Sequence, residues 1–327
     1  MSKKIGIIGG AGFLGSRLAD RLKADNFDYL IFDIDDGDID THKIDVRDLS
    51  SLYKLRECDV LVNLAAVHRD DIKPSSLYDD VNVLGAENIC SIARRYNINK
   101  IIFTSSVAVY GFSKEKISEE GKHNYFNDYG RTKHLAEKVF KEWFEENPKD
   151  RMLFIVRPTV IFGEGNRGNV YNLLRQIARK QFVMFGAGQN IKSMAYVENV
   201  AAFLEYGMKS DNGFYLYNYI DKPDFNMNQL VSKAREVLFR SGGVGIKLPA
   251  FIATLIGFLV DILAKIAGRS FSISRIRVKK FMATTHFDTA IDPKSFQAPV
   301  SLNEGLERTL KYEFLENNKN KRTFYTE

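Results

Sequence analysis

The amino-acid sequence predicts an α/β fold: a doubly wound parallel sheet followed by a smaller C-terminal domain. Three observations carry this. Short continuous apolar runs alternate with helix-patterned stretches through the first half of the chain, as expected of parallel strands buried on both faces. A glycine cluster separates the first apolar run from the first helix, and an acid closes the second run. The length of 327 residues suits about two domains at roughly 100–200 residues each.

The elements follow in order. Ile5 to Ile8 reads as the first strand and Phe13 to Lys23 as the first helix. Tyr29 to Ile34 is the second strand. Asp59 to Leu64 and Lys100 to Thr104 are later strands, with helical pattern around Leu77–Tyr96 between them. Tyr129 opens a long helix, and Met152 to Val156 is a further strand. These runs set a first domain over 1–165 and a second over 166–327. Strand–helix alternation resumes at Met194–Val197, continues as a helix through Met208, and ends with Phe214–Ile220. Elements within 190–220 are therefore expected to return to the first domain. The pattern changes character after Ser241, and the polar stretch from Asn317 is expected to fray.

Composition excludes several classes. Hydrophobic residues are 45% and charged residues 27%, so a disordered or collagen-like chain is ruled out. Two cysteines, Cys58 and Cys90, cannot make a CxxC metal site or a disulfide framework, and no metal centre is expected. The apolar run near Met1 is too short and too broken by glycine for a signal peptide. The net charge is +6. From Ser241 to Lys280 there are seven basic residues and one acid, so the remainder of the chain is neutral overall.

The glycine cluster is Gly9-Gly10-Ala11-Gly12-Phe13-Leu14-Gly15. A strand before it and a helix after it make a Rossmann-like dinucleotide unit: a side chain at Gly9, Gly12 or Gly15 would keep the backbone from a pyrophosphate, which the helix N-terminus binds through free N–H groups. Asp33 ends the next strand, 18 residues past Gly15, where it can take ribose hydroxyls. Ile34, Asp35 and Asp36 follow without an arginine, so a 2′-phosphate would meet acids and NAD is favoured over NADP. Asp45 and Val46 lie where they could reach the adenine, and Asn63-Leu64-Ala65-Ala66 ends a strand with small residues that let a cofactor lie close.

Three YxxxK patterns occur, at Tyr96/Lys100, Tyr110/Lys114 and Tyr129/Lys133. Only the last lies within a helical run, so that both side chains project from one face. A tyrosine is a poor base at neutral pH, and bringing its pKa down by about three takes roughly 4 kcal/mol. A nearby ammonium and a positive nicotinamide ring both favour the phenolate. Such a phenolate can take a hydroxyl proton while hydride leaves the same carbon. Thr104-Ser105-Ser106 ends the preceding strand, and Ser106 is the candidate to hold that hydroxyl.

Taken together, the glycine loop, Asp33, Asn63-Leu64-Ala65-Ala66, Ser106, Tyr129-xxx-Lys133 and Arg157-Pro158 resemble the extended short-chain dehydrogenases/reductases of the nucleotide-sugar epimerase group over about the first 210 residues. The resemblance implies NAD as cofactor, with Thr104, Pro158, Tyr129 and Lys133 joining the glycine loop in holding it. It implies that Ser106 and Tyr129 act on a sugar C4 hydroxyl. Dehydratases of the family place an Asp-Glu pair after the catalytic serine or threonine; Val107-Ala108 stands here. It also implies a homodimer through helices around Leu84–Tyr96 and Tyr129–Glu145.

The stretches 65–71, 157–174, 192–197 and 277–281 resemble a narrower group, bacterial 4-epimerases acting on N-acetylglucosaminyl-diphospho-undecaprenol, which serve O-antigen and lipopolysaccharide biosynthesis. That implies a polyprenyl-diphosphate-linked amino sugar as substrate. A soluble UDP-sugar 4-epimerase and a nucleotide-sugar reductase are the alternatives. Ser105, Ser106, Arg167, Asn169 and Lys192 are the candidate substrate contacts, with Arg167 and Lys192 placed on the diphosphate.

Leu248 to Val260 carries no charge; as a helix it would reach about 20 Å, short of the ~30 Å hydrocarbon core. Extended over 248–268, it places Phe251, Leu255, Phe258, Leu259, Ile262 and Ile266 on one face, and Lys265, Arg269, Arg275, Arg277, Lys279 and Lys280 follow. This predicts an in-plane helix on an anionic membrane surface, with the enzyme peripheral at the cytoplasmic face of the inner membrane. No nucleic-acid recognition motif accompanies the charge.

Overall fold

The computed structural model describes residues 3–35, 40–69, 72–111, 115–249, 251–252, 283–318 and 320–326. Most of the 248–268 segment and the basic run to Lys280 therefore lie outside the described residues.

The centre is a seven-stranded, all-parallel sheet. Its strands are β1 (Lys4–Ile8), β2 (Asp28–Asp33), β3 (Thr41–Lys43), β4 (Val60–Asn63), β5 (Lys100–Thr104), β6 (Met152–Pro158) and the Gly213–Tyr219 strand. The spatial order is Gly213–Tyr219, β6, β5, β4, β1, β2, β3. The winding reverses between β1 and β4, so ligand binding is expected outside the carboxyl ends of those strands. The register brings Ile8 level with both Phe32 and Asn63.

Both faces of the sheet are covered, which is why its strands carry no polar alternation. On one face Ile89, Ile92, Ala136, Phe140 and Trp143 pack on Leu61, Ile101, Phe103 and Ile155. These covering side chains come from the Gly85–Tyr96 and Asp128–Glu145 helices. On the other face Leu18, Ala19 and Leu22 of helix α1 (Phe13–Ala24) meet Val200, Ala201 and Leu204 of the Val197–Met208 helix over Ile7, Val62, Ile102 and Phe154. Full burial of each leucine contributes about 1.5–3 kcal/mol.

The chain leaves the sheet after β6 and builds a second lobe. Its core joins the Asn169–Ala178, Met227–Phe239 and Leu302–Phe314 helices through Leu174, Ile177, Leu230, Val231, Leu306 and Leu310. The Val197–Met208 helix and the Gly213–Tyr219 strand bring the chain back to the sheet.

Two differences from the sequence reading stand out. The 320–326 segment is docked rather than frayed: Arg167 N donates to Phe324 O at 2.7 Å and Phe324 N to Gly165 O at 2.9 Å. Backbone pairing and ring contacts outweigh the polar composition that suggested disorder. The helical pattern at Leu77–Tyr96 is also broken. A short Ser76–Tyr78 helix runs through a wider π-helical turn, Asp79–Leu84, into Gly85–Tyr96. That turn lets Asn82 point inward, where its amide is buried and fully used.

Candidate active site

The glycine turn sits at the carboxyl end of β1. Gly9 N and Gly10 N donate to Phe32 O at 2.8 and 3.2 Å. Gly9 has φ +78°, and a Cβ there would lie 2.7 Å from Ala65 N. A Cβ on Gly15 would lie 2.5 Å from both Gly10 Cα and Gly9 O. Helix α1 begins at Phe13 after Gly12, with no side-chain cap and no acid in its first turn, so its leading N–H groups are left for an anion. Asp33 Oδ2 accepts from Ala11 N at 2.9 Å and Oδ1 from Asp35 N at 3.3 Å.

The remaining predicted cofactor residues spread along the same edge. Leu64 N donates to Ile8 O at 2.8 Å and Ala65 N to Asn63 Oδ1 at 3.2 Å. Ala66 O faces His68 Nδ1 at 3.4 Å. Asp45 accepts from Arg47 N at 2.9 Å and pairs with its guanidinium at 2.6 Å, which holds its carboxyl below the usual range. Val46 is buried and would be struck by a Cβ on Gly85. Pro158 is buried at the end of β6, level with Tyr219.

The Tyr129 helix starts from Asn127, whose side chain accepts from Gly130 N at 2.9 Å. Lys133 follows one turn after Tyr129, and its Nζ donates to Thr104 O at 2.7 Å while lying 4.7 Å from the Phe103 ring centroid. Ser106 leads the short Val107–Tyr110 turn, accepts from Ala108 N at 3.1 Å, and lies near enough to the Tyr129 phenol to favour its ionised form. The structure thus brings Thr104, Ser106, Tyr129 and Lys133 together.

The electrostatics differ from the sequence argument. Burial pushes the Tyr129 phenol up to about 12, opposed only by the Ser106 side chain. Burial also pulls Lys133 down to about 7, with Glu137 resisting. In a low-dielectric cleft, desolvation is the largest influence on each group. The protein alone keeps the phenol protonated.

The sequence of this chain matches the NAD dependent epimerase/dehydratase family over residues 5–215. This chain belongs to that family. It is 46% identical, over 100% of both chains, to N-acetyl-alpha-D-glucosaminyl-diphospho-ditrans,octacis-undecaprenol 4-epimerase of Escherichia coli O157:H7. A UDP-glucose 4-epimerase of Vibrio cholerae is 25% identical over 94% of this chain and 95% of its own. Among solved structures, UDP-N-acetylglucosamine 4-epimerase from Bacillus cereus superposes with a TM-score of 0.75 at 17% identity, covering 97% of this chain and 98% of that one. The Thermus thermophilus UDP-glucose 4-epimerase complex with NAD superposes with a TM-score of 0.69 at 16% identity, covering 94% and 98%.

As a member of this family the protein uses NAD, and its residues fit that cofactor. Gly9 and Gly15 have no room for side chains, and the α1 N-terminus is uncapped by a side chain. Thr104 Oγ1 and Ser105 Oγ are buried without partners among the described residues, a cost unless a bound group completes them.

The predicted substrate contacts are more dispersed. Arg167 pairs with Glu313 at 2.8 Å and lies 4.2 Å over the Tyr171 ring. A diphosphate would have to compete with that carboxylate. Asn169 opens the Asn169–Ala178 helix. Lys192 donates to Ala283 O at 2.6 Å, and burial lowers it to about 8.

Three residues that bear on these candidates were not singled out by sequence reasoning. Asn82 Oδ1 accepts from Val67 N at 2.9 Å, and its Nδ2 donates to Val67 O at 3.0 Å and Thr132 Oγ1 at 2.9 Å. It ties the loop after β4 to the Tyr129 helix. Glu137 forms a buried pair with Arg157, which also donates to Tyr110 Oη at 2.5 Å. Glu137 stands two helical turns after Tyr129, the one sequence cue available. His68, which burial holds below its ordinary pKa, faces Lys133 electrostatically. His123, His134 and Glu137 bring ligand atoms within 4.8 Å of one another. Both Glu137 oxygens there already accept from Arg157, which disfavours a cation.

Proposed function

We propose that the protein is an NAD-dependent 4-epimerase that interconverts N-acetylglucosaminyl- and N-acetylgalactosaminyl-diphospho-undecaprenol, supplying lipid-linked sugar for O-antigen assembly. The end-to-end 46% identity to the relative of that name supports the substrate. The Ser106–Tyr129 contact beside Lys133 is the observation that carries the chemistry.

Ser106 and Tyr129 hold the C4 hydroxyl between them, and Tyr129 takes its proton as the C4–H bond breaks. Bound NAD would supply the acceptor for that hydride, the donor for its return to the opposite face, and a positive ring that favours the phenolate. Lys133 positions the cofactor ribose from its anchor on Thr104 O. Tyr129 then returns the proton to the C4 oxygen of the turned ketosugar. Atoms and electrons balance within one turnover, so no external reductant is needed.

The reading includes a peripheral position at the cytoplasmic face of the inner membrane. In support, Phe251 within the apolar stretch is 71% exposed. It also includes a homodimer through the Gly85–Tyr96 and Asp128–Glu145 helices, with the half-exposed Leu84 beside them. Residues 1–165 with the returning 190–220 elements act as the cofactor unit, and 166–327 hold the sugar.

A side-by-side assay with undecaprenyl-diphosphate-linked and UDP-linked N-acetylglucosamine tests the proposal. Interconversion of the lipid-linked sugars at steady NAD supports it. Turnover of UDP-sugar alone would select the soluble 4-epimerase, and stoichiometric consumption of nicotinamide would select a reductase.

A further inference from the structure

The 320–326 segment lies across the glycine loop. Arg322 Nη2 donates to Ala11 O at 2.9 Å, while Ala11 N on the other side of that residue donates to Asp33. The Arg322 guanidinium stacks 5.0 Å from the Phe324 ring centroid. Phe324 in turn packs on Phe13, the first residue of α1, with centroids 5.6 Å apart. Beyond it, Thr326 Oγ1 donates to Asn166 Oδ1 at 2.6 Å, and its backbone meets His68. The segment is thus fixed at three points: the glycine turn, the loop at Gly165–Arg167, and the loop after β4.

The charge on this segment is unspent. Among the described residues no carboxylate pairs with Arg322. One donor of its fork is on Ala11 O, and the rest of the fork remains available. A half-buried guanidinium beside an uncapped helix N-terminus forms a site for a diphosphate, which accepts paired N–H donors from a planar fork.

We propose that residues 320–326 are a clasp over the cofactor, in which Arg322 binds the NAD pyrophosphate and Phe324 holds Arg322 in place. This rests on the NAD dependence of the family and not on the identity of the sugar. An enzyme that takes a hydride and returns it has no need to exchange its cofactor between turnovers. A clasp that slows NAD release would therefore carry no kinetic penalty here, whereas a net reductase would be throttled by it.

The test is the rate at which full-length enzyme loses radiolabelled NAD to excess unlabelled NAD, measured without sugar. Arg322→Ala should release NAD about tenfold faster, as for the loss of one charge-assisted contact. Arg322→Lys should fall between the two, and Phe324→Ala should also accelerate release. Raising salt should speed release from wild type more than from Arg322→Ala. Far-UV circular dichroism and a thermal melt of Arg322→Ala, whose side chain is half-exposed, verify that the variant is folded. Release at the wild-type rate from Arg322→Ala overturns the proposal. So does a raised KM for the sugar diphosphate with unchanged NAD release, which would assign Arg322 to the substrate's diphosphate.

Discussion

Lys133 Nζ donates to the carbonyl of Thr104 across 2.7 Å, so the strand that leads into Ser106 also anchors the cation beside Tyr129. The distance between base and hydroxyl holder is thereby set by the joint between β5 and one helix. The anchor gives the buried Lys133 amine a hydrogen-bond partner, while Glu137 is the charge that opposes its discharge by burial.

That burial has a pH signature. Lys133 titrates at about 7 in the folded protein and near 10.4 when unfolded. Between these values the unfolded chain binds the extra proton, so stability rises with pH. The penalty is full below about pH 7 and relaxes toward pH 10. Cofactor-free wild type should gain roughly 2 kcal/mol over Lys133→Met between pH 7 and pH 9. Urea denaturation at the two pH values reads it, and an equal change in both proteins would refute it.

Tyr129→Phe should lose nearly all turnover, at least about a thousandfold, since general-base catalysis alone contributes about 10²–10⁴. NAD should remain bound, because the glycine turn is untouched. Equilibrium dialysis alongside the rate assay separates the two effects. Activity near wild type would mean another base.

Asn82→Ala should destabilise the protein by about 1–3 kcal/mol, because Val67 N and Val67 O lose their buried partner. A drop in kcat is expected with it, since the loop after β4 and the Tyr129 helix are no longer joined. Chemical denaturation and single-turnover rates measure the two consequences. Stability within error of wild type would show the amide to be dispensable.

Charge reversal of Arg275, Arg277, Lys279 and Lys280 should weaken binding to vesicles containing anionic lipid, each residue being worth about 1 kcal/mol near the surface. NAD binding should be unaltered. Co-sedimentation that does not change would remove the membrane role.

Much of the site was legible because its parts are local. Gly9 to Gly15 and Asp33 are linked by a strand, a turn and a helix, and Tyr129 and Lys133 by one helical turn. Periodicity and steric need reveal such relationships directly. The parts that were hidden are long-range. Asn82 meets Thr132 only because a π-helical turn swings it inward, and an even helical pattern gives no sign of that. The Glu137–Arg157 pair joins a helix to a buried strand, so each looks like a surface charge until the sheet is assembled. The 320–326 segment is polar in composition, yet Phe324 finds Phe13 from the far end of the chain. The position of Lys133 was readable and its electrostatics were not, because desolvation depends on what the fold places around it.

The pairing of Gly213–Tyr219 with β6 bears on how the molecule assembles. The sheet cannot be completed until the chain has travelled through the second lobe and come back, a non-local contact of the kind that slows folding. Until then β6 presents an open row of backbone donors and acceptors, the situation that invites edge-to-edge aggregation. A fragment ending at residue 165 would be frozen in that state, so expression of the nucleotide half alone should yield aggregates, while in the intact chain the Gly213–Tyr219 strand covers β6.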